Sequence, residues 1–184
     1  MSTAAFTLDN NFGFGLGGNW ADTKGTISYS GSHDWSLTRY GGYAFIFFGL
    51  SRFFELNLGY IQKFPQEMQI EGSSVNVADI VNTDALQLGL YGKFPITLGS
   101  KFVIFPTLGA DFEYTIGLIG DNSDDWWHDL WLRGGVGMDF FLGEKLFLRT
   151  HLLGGYAIPF GGKERLGLSH SWGALAKVGI GWMF

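Results

Sequence analysis

The chain has 184 residues, 29 of them Gly and only 4 Pro, with 17% aromatics, no Cys and a net charge of -5. The lack of Cys excludes a disulfide framework, a zinc-thiolate site and a thiol nucleophile, and an acidic chain without a Lys/Arg run excludes a nucleic-acid partner. The most apolar stretch, residues 44–50, is far shorter than the ~18–20 residues of a membrane helix, and composition never shifts as it would at a linker.

No basic segment followed by an apolar core opens the chain. Under the reading developed below, a secretory signal has been removed and Met1 stands in its place. The first strand is expected near Asn11 to Trp20. A second, near Tyr40 to Leu50, is too uniformly apolar for its two faces to be told apart. From the third strand onward alternation with period two is clear. Phe54, Leu56, Leu58 and Tyr60 oppose Glu55, Asn57 and Gly59. The fourth sets Leu86, Leu88, Leu90 and Phe94 against Gln87, Gly89, Tyr91 and Lys93, and the fifth sets Ile104, Pro106, Leu108, Ala110, Phe112 and Tyr114 against Thr107, Gly109, Asp111 and Glu113. In the sixth, Leu130, Leu132, Val136, Met138 and Phe140 oppose Arg133, Gly135, Gly137 and Asp139. In the seventh, Leu146, Leu148, Leu152, Tyr156 and Ile158 oppose Arg149, His151 and Gly155. The eighth runs to the C-terminus with Trp172, Ala174, Ala176, Val178, Ile180, Trp182 and Phe184 on one face and Gly173, Lys177, Gly179 and Gly181 on the other.

Three short turns recur at comparable intervals, Leu50–Phe54, Leu98–Phe102 and Leu142–Leu146, with Arg52, Lys101 and Lys145 at matching positions. They divide the chain into four hairpins, which predicts an all-β, eight-stranded antiparallel up-and-down barrel with short turns at one end and longer loops at the other. The charges decide which face meets lipid. Lys63, Lys93, Arg133, Arg149, Lys177, Glu55, Asp111, Glu113 and Asp139 all fall on the Gly-rich or polar faces, and none on the apolar faces. An inward Gly-rich face and an outward apolar one are what a bilayer requires, since Lys or Arg facing the lipid midplane costs roughly 2–4 kcal/mol. Tyr60, Tyr114, Tyr156 and Trp172 then lie toward the long loops and Phe94, Phe102, Trp182 and Phe184 toward the turns, as two aromatic belts.

With short turns, four longer loops and the ending Val178–Phe184, the chain resembles the eight-stranded outer-membrane proteins of Gram-negative-type bacteria, a group that includes the OmpA transmembrane domain, OmpX, OmpW and the opacity-type surface proteins. The resemblance spans residues 1–184 as one barrel domain. It implies an outer-membrane location, short turns in the periplasm, loops outside, a monomer in outer-membrane lipid, and Val178, Ile180, Trp182 and Phe184 as the signal read by the barrel-assembly machinery. The soluble rival is a lipocalin, prompted by Gly18-Asn-Trp20. A lipocalin would hide its apolar faces inside and show charge outside.

The same faces nominate the candidate sites. The nine charges above, with His151, should pair inside a lumen only just wide enough for side chains, Arg149 and Asp139 near the turn at Gly143 and Glu113 toward the third long loop. Trp35, Trp126, Trp127 and Trp131 suggest a loop surface for an extracellular ligand, with interfacial anchoring as the plainer reading. His33, His128 and His170, near Asp34, Asp124, Asp125 and Asp129, have the chemistry of a weak divalent-cation site, although loop residues of this kind are more often simply solvated. Ser169, His170, Ser171 and Glu164 contain the makings of a hydrolytic set, but adjacent His170 and Ser171 point to opposite faces of a strand. No enzyme and no cofactor is therefore expected. Two functions remain: a closed scaffold displaying the loops Trp20–Thr38, Pro65–Thr83, Gly117–His128 and Phe160–His170 for adhesion, ligand contact or envelope integrity, or an OmpW-like narrow channel for small or hydrophobic solutes. Filling of the lumen favours the scaffold.

Overall fold

A computed structural model describes residues 10–28, 32–64, 67–70, 73–76, 84–116, 128–160 and 168–184. Among the described residues there are eleven strands: β1 (Asn11–Ser28), β2 (Ser32–Gly49), β3 (Phe54–Lys63), β4 (Glu67–Ile70), β5 (Ser73–Asn76), β6 (Asp84–Lys93), β7 (Ile96–Thr97), β8 (Phe102–Ile116), β9 (His128–Phe141), β10 (Leu146–Phe160) and β11 (Leu168–Met183). Eight of them, β1, β2, β3, β6, β8, β9, β10 and β11, form one antiparallel sheet that closes on itself because β1 pairs with both β2 and β11. Closure leaves no unpaired edge, the condition a sheet must meet to lie in hydrocarbon.

The three recurring sequence motifs are the short turns. Leu50, Leu98 and Leu142 donate their backbone N–H to Phe54, Phe102 and Leu146 O at 3.0, 2.8 and 2.9 Å. The second turn uses Gly99 at φ +77°, a left-handed conformation that Gly adopts without steric cost.

Facing follows the pleat. Leu108 on β8 is 68% exposed while Asp111 on the same strand is fully buried, the reverse of a soluble barrel, so the lipocalin reading fails. On β2 the unreadable facing is settled: Tyr43, Phe45 and Phe47 point inward, and Ala44 and Ile46 outward. Space decides it. In register, Gly17, Gly15 and Gly13 of β1 lie beside Tyr43, Phe45 and Phe47, and a Cβ at Gly13 would overlap the Phe47 ring. The pattern recurs where Gly137 receives Phe105 and Gly181 receives Phe147. The glycine excess is therefore largely an interior device: one strand gives up its side chains so that its neighbour's large ones fill a narrow lumen.

One expectation is corrected here. The span Trp20–Thr38 is not a long loop, because β1 and β2 continue as a ladder to Ser28 opposite Ser32. The sequence concealed this because its outward residues are polar: Thr26 donates to Asp34 Oδ1 at 3.0 Å, Thr38 to Asp22 Oδ1 at 3.5 Å, and Lys24 lies 4.0 Å from Asp22. An outward polar face belongs above a bilayer, and the crossover is marked by Trp20 and Trp172, packed edge to face at 4.7 Å. Within the second long loop, the β4–β5 hairpin widens this rim, β4 pairing with β2 from Trp35 opposite Ile70. Residues 117–127 and 161–167 of the other two loops lie outside the described residues, whereas His128 and residues 168–170 belong to strands.

Candidate functional site

The lumen is crossed by three tiers of polar side chains. Nearest the short turns, Arg149 of β10 grips Asp139, its register partner on β9, with Nε to Oδ1 at 2.7 Å and Nη2 to Oδ2 at 2.6 Å. Its remaining nitrogen, Nη1, spans the barrel to Glu55 Oε2 on β3 at 2.5 Å and Asn11 Oδ1 on β1 at 3.1 Å. Glu55 also accepts from Lys93 Nζ at 3.0 Å and from Asn57 Nδ2 at 2.9 Å. Phe47 and Phe147 flank the guanidinium, their ring centroids 4.7 and 4.8 Å from Cζ. A cation is held here by paired carboxylates and by aromatic faces, which attract it through their quadrupoles.

The middle tier centres on Arg133 of β9, which donates through Nε to Asp111 Oδ2 at 2.6 Å and through Nη2 to Glu113 Oε1 at 3.1 Å. The Tyr91 hydroxyl sits 2.5 Å from both Asp111 oxygens. Between these tiers Lys177 of β11 donates to Asn57 Oδ1 at 3.1 Å and lies 4.6 Å over the Tyr91 ring. His151 stands beside Glu55, Nε2 3.9 Å from Oε1, edge-on to Phe105. The third tier lies toward the long loops, where Arg39 of β2 donates to Ser171 Oγ at 3.2 Å and approaches Asp129 Oδ2 to 3.6 Å, and Thr23 and Ser171 share a 2.9 Å hydrogen bond.

Of the ten lumen residues nominated from sequence, Glu55, Lys93, Asp111, Glu113, Arg133, Asp139, Arg149, His151 and Lys177 are all buried in the barrel. The tenth, Lys63, ends β3 opposite Gly41, and its side chain lies outside the described residues. Arg39 and the structural roles of Asn11, Asn57, Tyr91, Asp129 and Ser171 escaped notice. The signal existed: Arg39 shares its inward phase with Tyr43, and Asp129 with Arg133, but both sat beside spans read as loop.

Two of the proposed loop tryptophans are elsewhere. Trp35 lies on β2 and Trp131 on β9, both buried, Trp35 against Gly25, where a Cβ would stand 2.6 Å from the indole, and Trp131 with its ring 4.2 Å from the Arg133 guanidinium. Continuation of β2 turns Trp35 inward, and Trp131 is inward between the outward Leu130 and Leu132 of β9, so neither belongs to a loop contact surface; Trp126 and Trp127 lie outside the described residues. Nor do the described residues of the candidate cation set come together. His33 shares the inward phase of Trp35, whereas His128 stacks on the outward Tyr114 with centroids 4.6 Å apart, so the barrel wall separates them. The side chain of His170, and Asp124 and Asp125, lie outside the described residues, while Asp129 faces Arg39 inside. Among the described residues no group of His, Asp or Glu is arranged to hold a metal. Ser171 bonds Thr23 and Arg39, neither of which can act as a general base; Glu164 and the side chains of Ser169 and His170 lie outside the described residues. At the C-terminus, Val178, Ile180, Trp182 and Phe184 are exposed on the outer wall, while Met183 pairs with Asn11 to close the barrel.

A closed wall, an apolar exterior and an ion-paired interior decide the architecture. The fold is that of an eight-stranded outer-membrane barrel. Among solved structures, the outer membrane protein OprG from Pseudomonas aeruginosa superposes with a TM-score of 0.56 at 14% identity, over 96% of each chain. Neisserial surface protein A matches with a TM-score of 0.47 at 13% identity, over 93% of this chain and 97% of that one. The N-terminal β-barrel domain of Pseudomonas aeruginosa OprF gives 0.40 at 19%, over 91% and 98%. No family model and no curated protein matches the chain.

Proposed function

We propose that this chain is an integral outer-membrane protein acting as a closed barrel scaffold, with its short turns in the periplasm and its β1–β2 and β4–β5 rim presented outside the cell for adhesion, ligand contact or envelope integrity. The observation that carries this reading is the tier nearest the short turns: Arg149, held on Asp139, reaches across the lumen to Glu55 while Lys93 holds the same carboxylate. A cross-brace of this kind obstructs a continuous water path, and breaking one partner of a buried pair is costly. The barrel acts as a monomer in outer-membrane lipid, and its terminal Val178, Ile180, Trp182 and Phe184 serve recognition by the barrel-assembly machinery.

A second reading, a narrow OmpW-like route for small or hydrophobic solutes, has one observation in its favour. A groove of about 290 Å³ in the outer wall, lined by residues including Leu16, Gly42, Ala44 and Tyr60, offers an apolar surface on which such a solute could lie. Single-channel recording of the purified protein in planar bilayers separates the two. The scaffold conducts poorly; a large, steady conductance unaffected by Arg149→Ala or Arg133→Ala would refute it and promote the channel.

A further inference from the structure

Above the Arg133 tier the inward chemistry changes. The amide of Gln87, at both Oε1 and Nε2, the Tyr43 hydroxyl, Trp131 Nε1, Asn19 Oδ1 and Arg39 Nε are all shielded from solvent and have no hydrogen-bond partner among the described residues. Gln87, Tyr43 and Trp131 are each 98% buried. Such atoms are costly to bury unpaired, and so many in one small domain call for a physical reason.

All but Arg39, which belongs to the tier above, share one level of the lumen. On β9, Trp131 is the inward residue between Asp129 of the upper tier and Arg133 of the middle tier; on β6, Gln87 pairs in register with Glu113; on β1, Asn19 lies below Thr23; on β2, Tyr43 lies below Arg39. Small inward residues, Ala21, Ala85 and Ala157, line the wall at this height, Gly173 being packed against Ala21. Since an eight-stranded barrel is just filled by ordinary side chains, three alanines in their place account for the space of only a few heavy atoms.

The chemistry of the level selects what fits. Trp131 Nε1, Arg39 Nε and the Gln87 amide nitrogen are donors, which disfavour a cation. Asp111, Glu113 and Asp129 outnumber Arg133 and Arg39 around them, which disfavours an anion. The acceptors Asn19 Oδ1 and Gln87 Oε1 suit a guest that also donates. We propose that this level is a binding site for a small uncharged molecule of the primary-amide type, whose carbonyl accepts from Trp131 and Gln87 and whose NH2 donates to Asn19 or Gln87. Access would be from the long-loop end, past the Arg39, Ser171 and Thr23 tier, rather than through the bidentate Arg149 tier. Only the floor of the site rests on the plugged-lumen reading.

The test is a titration of the full chain in detergent micelles with acetamide, following the indole N–H of Trp131 and the side-chain amide of Gln87 by 15N-resolved NMR. Acetate and methylammonium serve as charged counterparts, and the outward Trp20, Trp172 and Trp182 as internal controls. A saturable acetamide shift at Trp131, weakened about tenfold by Gln87→Leu, as expected for loss of roughly one hydrogen bond, supports the site. If Gln87→Leu fails to fold, Trp131→Phe with the Gln87 amide as reporter gives the same reading. Shifts that rise linearly without saturation, that appear equally at the outward indoles, or that acetate reproduces, would overturn it. The titration reads this level whether or not ions pass the tier below, so a leaky floor and an absent site give different results.

Discussion

Arg149 and Asp139 are register partners on adjacent strands and form two parallel hydrogen bonds, at 2.7 and 2.6 Å, deep inside the barrel. Fork-to-fork geometry fixes the guanidinium plane, and that plane lets Nη1 reach Glu55 on the opposite wall. Replacing Arg149 with Ala should therefore leave Asp139 and half of Glu55 uncompensated. The expected loss is about 3–5 kcal/mol of unfolding free energy, read by denaturant unfolding in detergent, together with a rise in single-channel conductance. An unchanged midpoint would show that the brace contributes no stability.

Arg133→Ala and Lys177→Ala should not behave alike. Arg133 satisfies two carboxylates, whereas Lys177 is held by the Asn57 amide and the Tyr91 ring. The Arg133 variant should be the less stable, since its loss leaves Asp111 and Glu113 buried without their guanidinium. Equal destabilisation in the same unfolding experiment would contradict this ranking.

On β11, Val178 faces outward and Gly179 inward. Val178→Asp should impair insertion into lipid vesicles, at a cost of up to about 2 kcal/mol, while Val178→Ala is tolerated. At Gly179 even Ala is expected to be harmful, because its Cβ would stand 2.7 Å from the Phe14 carbonyl oxygen and 3.3 Å from the Phe45 ring. Folding yields of the Ala pair measure crowding, and the Asp at Val178 measures desolvation. A tolerated Gly179→Ala would reject the packing described for this strand.

Glycines on the two faces should differ. A Cβ at Gly137 would overlap the Phe105 ring, whereas one at Gly154 meets nothing within 4 Å. Gly137→Ala should cost roughly 1–3 kcal/mol and Gly154→Ala little, by the same unfolding measurement.

The β1–β2 extension should protect backbone amides above the bilayer. Ladder pairs from Asp22 opposite Thr38 to Thr26 opposite Asp34 are expected to exchange slowly with deuterium in detergent. Rapid exchange throughout 22–28 and 32–38 would mean that the first long loop is a loop after all.

Much of this was legible in the residues themselves. Number of strands, turn positions and inward charge on six of the eight barrel strands could be read because lipid outside and a narrow polar lumen inside impose opposite demands on alternate residues, and a period of two records them. Three features were decided only in three dimensions. The facing of β2 depended on which neighbour offered glycine to Tyr43, Phe45 and Phe47, and that is a matter of register. The inward turn of Trp35 depended on β2 running beyond the bilayer, where the outward Asp34 and Ser36 are polar and the alternation disappears from the sequence, whereas Trp131, between the outward Leu130 and Leu132, already stood in the inward phase of its strand. Partner choice depended on closure: Glu55 and Arg149 lie far apart in the chain and are not strand neighbours, and they meet only because the sheet curls until opposite walls come within the reach of one guanidinium.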